Sequence, residues 1–282
     1  MTEPATPARV HRALTADGHI RFAVLDARPL WNGVRLGHPH LEAGACACLV
    51  ELLAATLLLQ SRNFFSERLQ LLLRTSGLAK ALVADSWPDG GIRGALDTSP
   101  TQTEGPWLAG PGFLQVMRSD PKGQPYIGSL DMVEGPIQAQ VEAYLQQSEQ
   151  IQASLSLWCD PATGESGGIL LEPLPQCPPE RLAGLVAAIE GLEVVPFWER
   201  DADFLCRWFN QGEGAKILAV TDIEYRCRCS KASLLETLAA FGQAKVEELF
   251  QEGGPVEVRC DYCSRTYLIE RGEITTGEPE RG

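Results

Sequence analysis

The chain has 282 residues, of which 44% are hydrophobic and 22% charged, and carries a formal net charge of −13. That length accommodates one large or two medium domains plus a small one, and the apolar fraction is that of an ordinary soluble protein. The acidic balance argues against a general nucleic-acid or anionic-membrane binder, because both depend on basic surface.

The opening stretch, MTEPATPARVHRALTADG, lacks the positive start and continuous apolar run of a secretory signal, which predicts a cytoplasmic protein. His19 to Leu25 begins an extended segment after the turn-like Asp17-Gly18. Pro39 to Gln60 reads as a long, mostly buried helix. Its apolar run from Leu41 to Leu59 carries Glu51 at the middle, which is costly in lipid and predicts a helix of a soluble core. Strands are expected at Arg68 to Thr75 and Leu78 to Ser86, joined by Ser76-Gly77. Two more, Phe113 to Ser119 and Tyr126 to Met132, flank Asp120-Pro121-Lys122-Gly123-Gln124, a composition that predicts a hairpin turn.

Pro136 to Gln150 places Ile137, Val141, Tyr144 and Leu145 at helical spacing and predicts a helix packed over the sheet. Ile151 to Cys159 and Gly168 to Leu174 complete the strands. These elements predict an α+β fold, with a large mixed N-terminal domain over residues 1–175. Pro173, Pro175, Pro178 and Pro179 then mark a boundary.

Residues 176–222 read as a helical linker with short amphipathic helices at Arg181 to Leu192 and Asp201 to Phe209. Leu182, Leu185, Ile189, Phe204, Trp208 and Phe209 make it apolar enough to need cover at rest, and they are the candidate interaction surface. A small C-terminal module is expected over 223–273, with 274–282 as a tail. Inside the module, Ser233-Leu234-Leu235-Glu236 matches a capping box, Ala244 to Gln251 makes a short second helix, and Val256 to Tyr267 predicts a hairpin.

Nine cysteines in a chain of this kind read as metal ligands or redox groups. Cys227 and Cys229 lie in the string CRC, and Cys260 and Cys263 in CDYC, whose spacing is that of a zinc knuckle at the hairpin tip. Two such pairs supply the four soft donors of a closed tetrahedral site, so one Zn²⁺ per chain is expected. An all-thiolate set also presents oxidants with deprotonated sulfur. Closing a disulfide within Cys-x-Cys bends an extended backbone, so oxidation would eject the metal and reshape the chain together.

Cys46 and Cys48 are also two residues apart, but in a helix they point to nearly opposite sides and cannot jointly bind a metal. Cys159, Cys177 and Cys206 are scattered and read as packed or partly exposed small residues. His40-Leu41-Glu42 with a C-x-x-C is the skeleton of a zinc deaminase, but Arg259 stands where that pattern has proline. No G-x-S-x-G, phosphate loop or dinucleotide fingerprint appears, and no enzymatic activity is expected. A constitutive zinc-ribbon interaction module on a soluble scaffold is the alternative to a redox switch.

The four-cysteine pattern resembles that of the 33 kDa heat-shock protein family of redox-regulated bacterial chaperones: CRCS, about thirty residues, then CDYCSRTYLIE. Ala54-Ala55-Thr56-Leu57-Leu58, YLQQSEQIQASL and GGILLEPLP extend the similarity upstream. The resemblance implies a reduced, zinc-bound, inactive chaperone that responds to peroxide or hypochlorite. It further implies that oxidation pairs Cys227 with Cys229 and Cys260 with Cys263, releases zinc and loosens the module and linker. The oxidised form would dimerise and hold unfolding client proteins in the cytoplasm without ATP. Five further cysteines depart from the simple pattern.

Overall fold

In the computed structural model, which describes residues 8–63, 65–98, 104–119, 124–190, 216–251 and 253–274, the chain divides into two compact units. One draws on residues 1–36 and 40–226, the other on 37–39 and 227–282.

The first unit is built on one mixed sheet. Its described strands are β1 (Ala8–Leu14), β2 (Ile20–Asp26), β3 (Arg68–Arg74), β4 (Ala79–Ser86), β5 (Gly91–Thr98), β6 (Phe113–Ser119), β7 (Tyr126–Asp131), β8 (Ser154–Cys159), β9 (Ser166–Pro173) and β10 (Lys216–Tyr225). They run in the order β7-β6-β3-β4-β5-β10-β1-β2-β9-β8. Neighbours are antiparallel except at the centre, where β10 meets β5 in parallel through Glu224 opposite Gly91 and Tyr225 opposite Ile92. Two antiparallel blocks are thus joined by the end of one strand. The helices are α1 (Arg28–Gly37), α2 (Ala43–Ser61), α3 (Ile137–Ser148) and α4 (Pro179–Glu190), and the expected mixed α+β class is what the structure has.

Helix α2 has apolar residues on every face, interrupted by the charge of Glu51, which suits a helix largely enclosed by the fold. It is long and apolar enough to cross a membrane, yet 83% of its apolar window is buried inside the fold. Two strand glycines let it descend onto both blocks. A Cβ on Gly94 would stand 2.9 Å from Leu49 Cδ1, and one on Gly168 would stand 2.8 Å from Leu58 Cδ1.

Strand β2 is buried on both faces because helices cover both. Ala23 and Leu25 join the cluster around α2, whereas Phe22 and Val24 join Ile169 and Leu171 beneath Leu185 of α4. Leu182 and Ile189, two of the linker residues singled out above, also pack there. Phe204, Trp208 and Phe209 lie outside the described residues, as does the whole expected helix from Asp201.

Several elements differ from the sequence reading. Strands β1, β5 and β10 and helix α1 are additional. β5 opens on Gly90-Gly91, which reads as turn material. β10 occupies the end of the segment expected to be a helical linker, where KILAVTDIEY has the β-branched content of a strand. Its partner is β1, so a register spanning more than 200 positions, such as Val10 opposite Thr221, closes the sheet.

The second unit contains α5 (Lys231–Ala240), α6 (Gln243–Leu249), and the hairpin of β11 (Val256–Arg259) and β12 (Thr266–Ile269). The cap of α5 lies three residues before the expected one. Ser230 is the N-cap, its hydroxyl accepting from Ser233 N at 3.1 Å while the Ser233 hydroxyl accepts from Ser230 N at 3.1 Å. Serine at the third position does what Glu236 was expected to do, one turn earlier. The buried core here is small: Val246, Ile269 and Ile274, with Leu234, Leu235 and Leu238 against them.

Candidate metal centre

The hairpin register ends with Arg259 opposite Thr266, leaving CDYCSR as the connecting loop. Cys260 N donates to Arg265 O at 2.9 Å, and Ser264 N donates back to Cys260 O at 2.8 Å. Ser264 adopts φ +54°, in the left-handed region, and so reverses the chain sharply. The result is a tight knuckle that turns the Cys260 and Cys263 thiols to one side. Cys227 and Cys229 sit in the irregular stretch between β10 and the Ser230 cap, which holds the chain straight before α5 starts.

All four sulfurs lie within 4.8 Å of one another. Cys227 and Cys260 sulfurs are 3.7 Å apart, and those of Cys229 and Cys263 are 3.4 Å apart. A tetrahedron with metal–sulfur bonds of about 2.3 Å has edges of about 3.8 Å, so these spacings fit a four-thiolate shell. Among the described residues this is the one cluster of its kind, and His40 and Glu42 do not belong to it.

Electrostatics around the sulfurs are divided. Burial opposes ionisation of Cys229, but hydrogen bonds from the Tyr267 hydroxyl and the neighbouring thiols outweigh it and bring that thiol down to about 7. Burial pushes Cys260 up to about 12 and raises Cys263 as well. Four thiols this close titrate as a set, and repulsion between like charges is what a divalent cation relieves. The Arg265 guanidinium, bonded to the Tyr267 hydroxyl and near Cys229 and Cys263, adds positive charge beside them.

Tyr267 is the residue that motif reading passes over. It stands opposite Val258 in the hairpin, and the alternating burial of Thr266–Ile269 turns Tyr267 and Ile269 inward together. That alternation is the signal available in the sequence.

The remaining described cysteines lie apart from the cluster. Cys46 and Cys48 are buried on α2, and burial pushes Cys48 and Cys159 up to about 12. Cys177 is half-buried at the foot of α4, and Cys206 lies outside the described residues.

Comparison with known proteins gives a consistent result. The model of the Hsp33 protein family matches residues 8–270. A 33 kDa chaperonin from Synechocystis sp. is 30% identical, covering 96% of this chain and 96% of its own length. The 33 kDa chaperonin of Deinococcus radiodurans is 28% identical over 93% of this chain and 95% of its own. A crystal structure of the 33 kDa chaperonin from Thermotoga maritima superposes with a TM-score of 0.79 at 20% identity, over 95% of this chain and 97% of that one.

Proposed function

The chain belongs to the Hsp33 protein family, and on that premise we propose that it is an ATP-independent holdase chaperone switched on by oxidation. The observation that supports this reading is the convergence of Cys227, Cys229, Cys260 and Cys263 sulfurs within 4.8 Å in a module with a small core. These four residues would hold Zn²⁺, which keeps thiolates deprotonated and ties the knuckle to the 227–229 stretch.

A unit with so few buried side chains has little hydrophobic free energy to set against its chain entropy, so its fold depends on that tie. Peroxide accepts two electrons from each thiolate pair, giving a disulfide and, with two protons, two waters. The reading pairs Cys227 with Cys229 and Cys260 with Cys263, which consumes all four donors. The module then loses the cross-link that organises it.

Leu182, Leu185 and Ile189, on the face of α4 that packs onto the sheet, are the described part of the candidate client surface, which also includes Phe204, Trp208 and Phe209. Unfolding proteins in the cytoplasm would be the partners, with a homodimer forming on oxidation and no role for nucleic acid or membrane. The test is light scattering from a chemically unfolded client. The peroxide-treated protein should suppress aggregation without ATP and the reduced, zinc-loaded protein should not. Equal suppression by both forms favours a constitutive interaction module instead.

A further inference from the structure

A second concave site lies within the first unit, away from the thiol cluster. One stripe of α2, Gly44, Ala47, Cys48 and Glu51, follows the i, i+3, i+4, i+7 spacing of a single helix face and lines a cavity of about 940 Å³. Ala47 and Cys48 are buried at the floor of this cavity, and Gly44 and Glu51 are half-buried at its sides. Trp107 stands over its N-terminal end, so close that a Cβ on Gly44 would meet the indole at 3.0 Å. Small residues at the near end therefore make room for an aromatic wall, and the carboxyl is placed two turns further along.

The charges of the lining have one sign. Glu51 faces the cavity and Glu134 stands at its exposed rim, while none of the described lining residues is Lys, Arg or His. No described residue offers the Glu51 carboxyl a hydrogen bond or a counter-charge, and burial alone pushes it up to about 7. An acid in an apolar wall without a partner is unfavourable for folding. It is also the arrangement that binding sites use to orient a charged ligand.

We propose that this cavity binds a small organic ammonium ion with an apolar body, the ammonium on Glu51 and the body against Trp107. The cation supplies the missing counter-charge, while the indole and the apolar wall accept the hydrocarbon body. Neutral and anionic molecules of the same shape gain only the wall. This site does not depend on the redox reading, and its ligand would bind the reduced protein.

The probe is 4-phenylbutylamine, titrated calorimetrically into the reduced full-length protein beside 4-phenylbutanol and 4-phenylbutyrate. The amine should bind about tenfold or more tighter than the alcohol, and the acid weaker still, from the strength of a charged hydrogen bond. Glu51→Gln should bring amine and alcohol to similar affinity, and Trp107→Ala should weaken both. Nuclear Overhauser contacts from the probe ring to the Trp107 indole, measured on the unmutated protein, locate the site without relying on a variant. Equal binding of amine and alcohol, no saturation by the amine, or contacts elsewhere overturns the proposal.

Discussion

The Tyr267 hydroxyl lies 3.2 Å from the Cys229 sulfur and 3.2 Å from the Cys229 carbonyl oxygen, so one phenol fixes both that sulfur and its backbone. Groups that orient a metal ligand from outside its shell are worth about 10–100-fold in affinity. Tyr267→Phe should keep one zinc per chain but weaken it by about tenfold, read by competition with a chromogenic chelator. Unchanged affinity would show that the phenol is merely packing.

Glu51 gives a pH-dependent prediction for stability. Its folded value, about 7, lies above the ordinary 4.5, so the native state holds a proton that the unfolded chain releases between those values. Stability therefore falls as pH rises through that window and levels off above it. Glu51→Gln should be more stable than the parent by on the order of 2 kcal/mol at about pH 8, and close to it at about pH 4, in urea melts of the first unit. The same difference at both values would contradict a buried, unpartnered carboxyl.

Thiol reactivity should separate the cysteines into two groups. Cys48 and Cys159 are pushed up to about 12 by burial, whereas Cys229 is drawn down to about 7. After chelation, iodoacetamide followed by peptide mapping should label the cysteines of the loosened module, Cys229 among them, before Cys48 and Cys159, since the thiolate is the nucleophile and burial holds those two protonated. Early labelling of Cys48 would make the additional cysteines part of the redox chemistry.

Removing the metal should loosen one unit and spare the other. Among the described residues, Val246, Ile269 and Ile274 form the buried apolar core of the module, whereas α2 alone buries more than a dozen residues. Amide exchange should rise over 227–274 on chelation and stay slow in α2 and β9. A uniform rise along the chain would contradict the modular account.

Much of this site could be read from spacing alone, because Cys-x-Cys and Cys-x-x-Cys are local patterns and a knuckle is a local turn. The hairpin from Val256 and the helix after the first pair follow from alternation and capping chemistry in the same way, although the cap sits at Ser230. What escaped is non-local. β10 closes the sheet on β1 from more than 200 residues away, and nothing near Lys216–Tyr225 announces that partner. β5 hides behind glycines whose purpose, at Gly94, is the approach of Leu49 and Leu53. The role of Tyr267 is hidden in the sequence because its partner, Cys229, lies 38 residues away. The cavity stripe on α2 is invisible because Gly44, Ala47 and Cys48 look like ordinary helix interior until Trp107 is placed over them.

The central claim is that oxidation of Cys227, Cys229, Cys260 and Cys263 converts a resting protein into a holdase. The most direct measurement follows free thiols, released zinc and suppression of client aggregation in one sample during a peroxide time course, then after thiol reduction with zinc present. The account predicts that four thiols and one zinc are lost together, that protection rises in step, and that all three reverse. Full protection by the reduced, zinc-loaded protein, or zinc loss without any gain in protection, would contradict it.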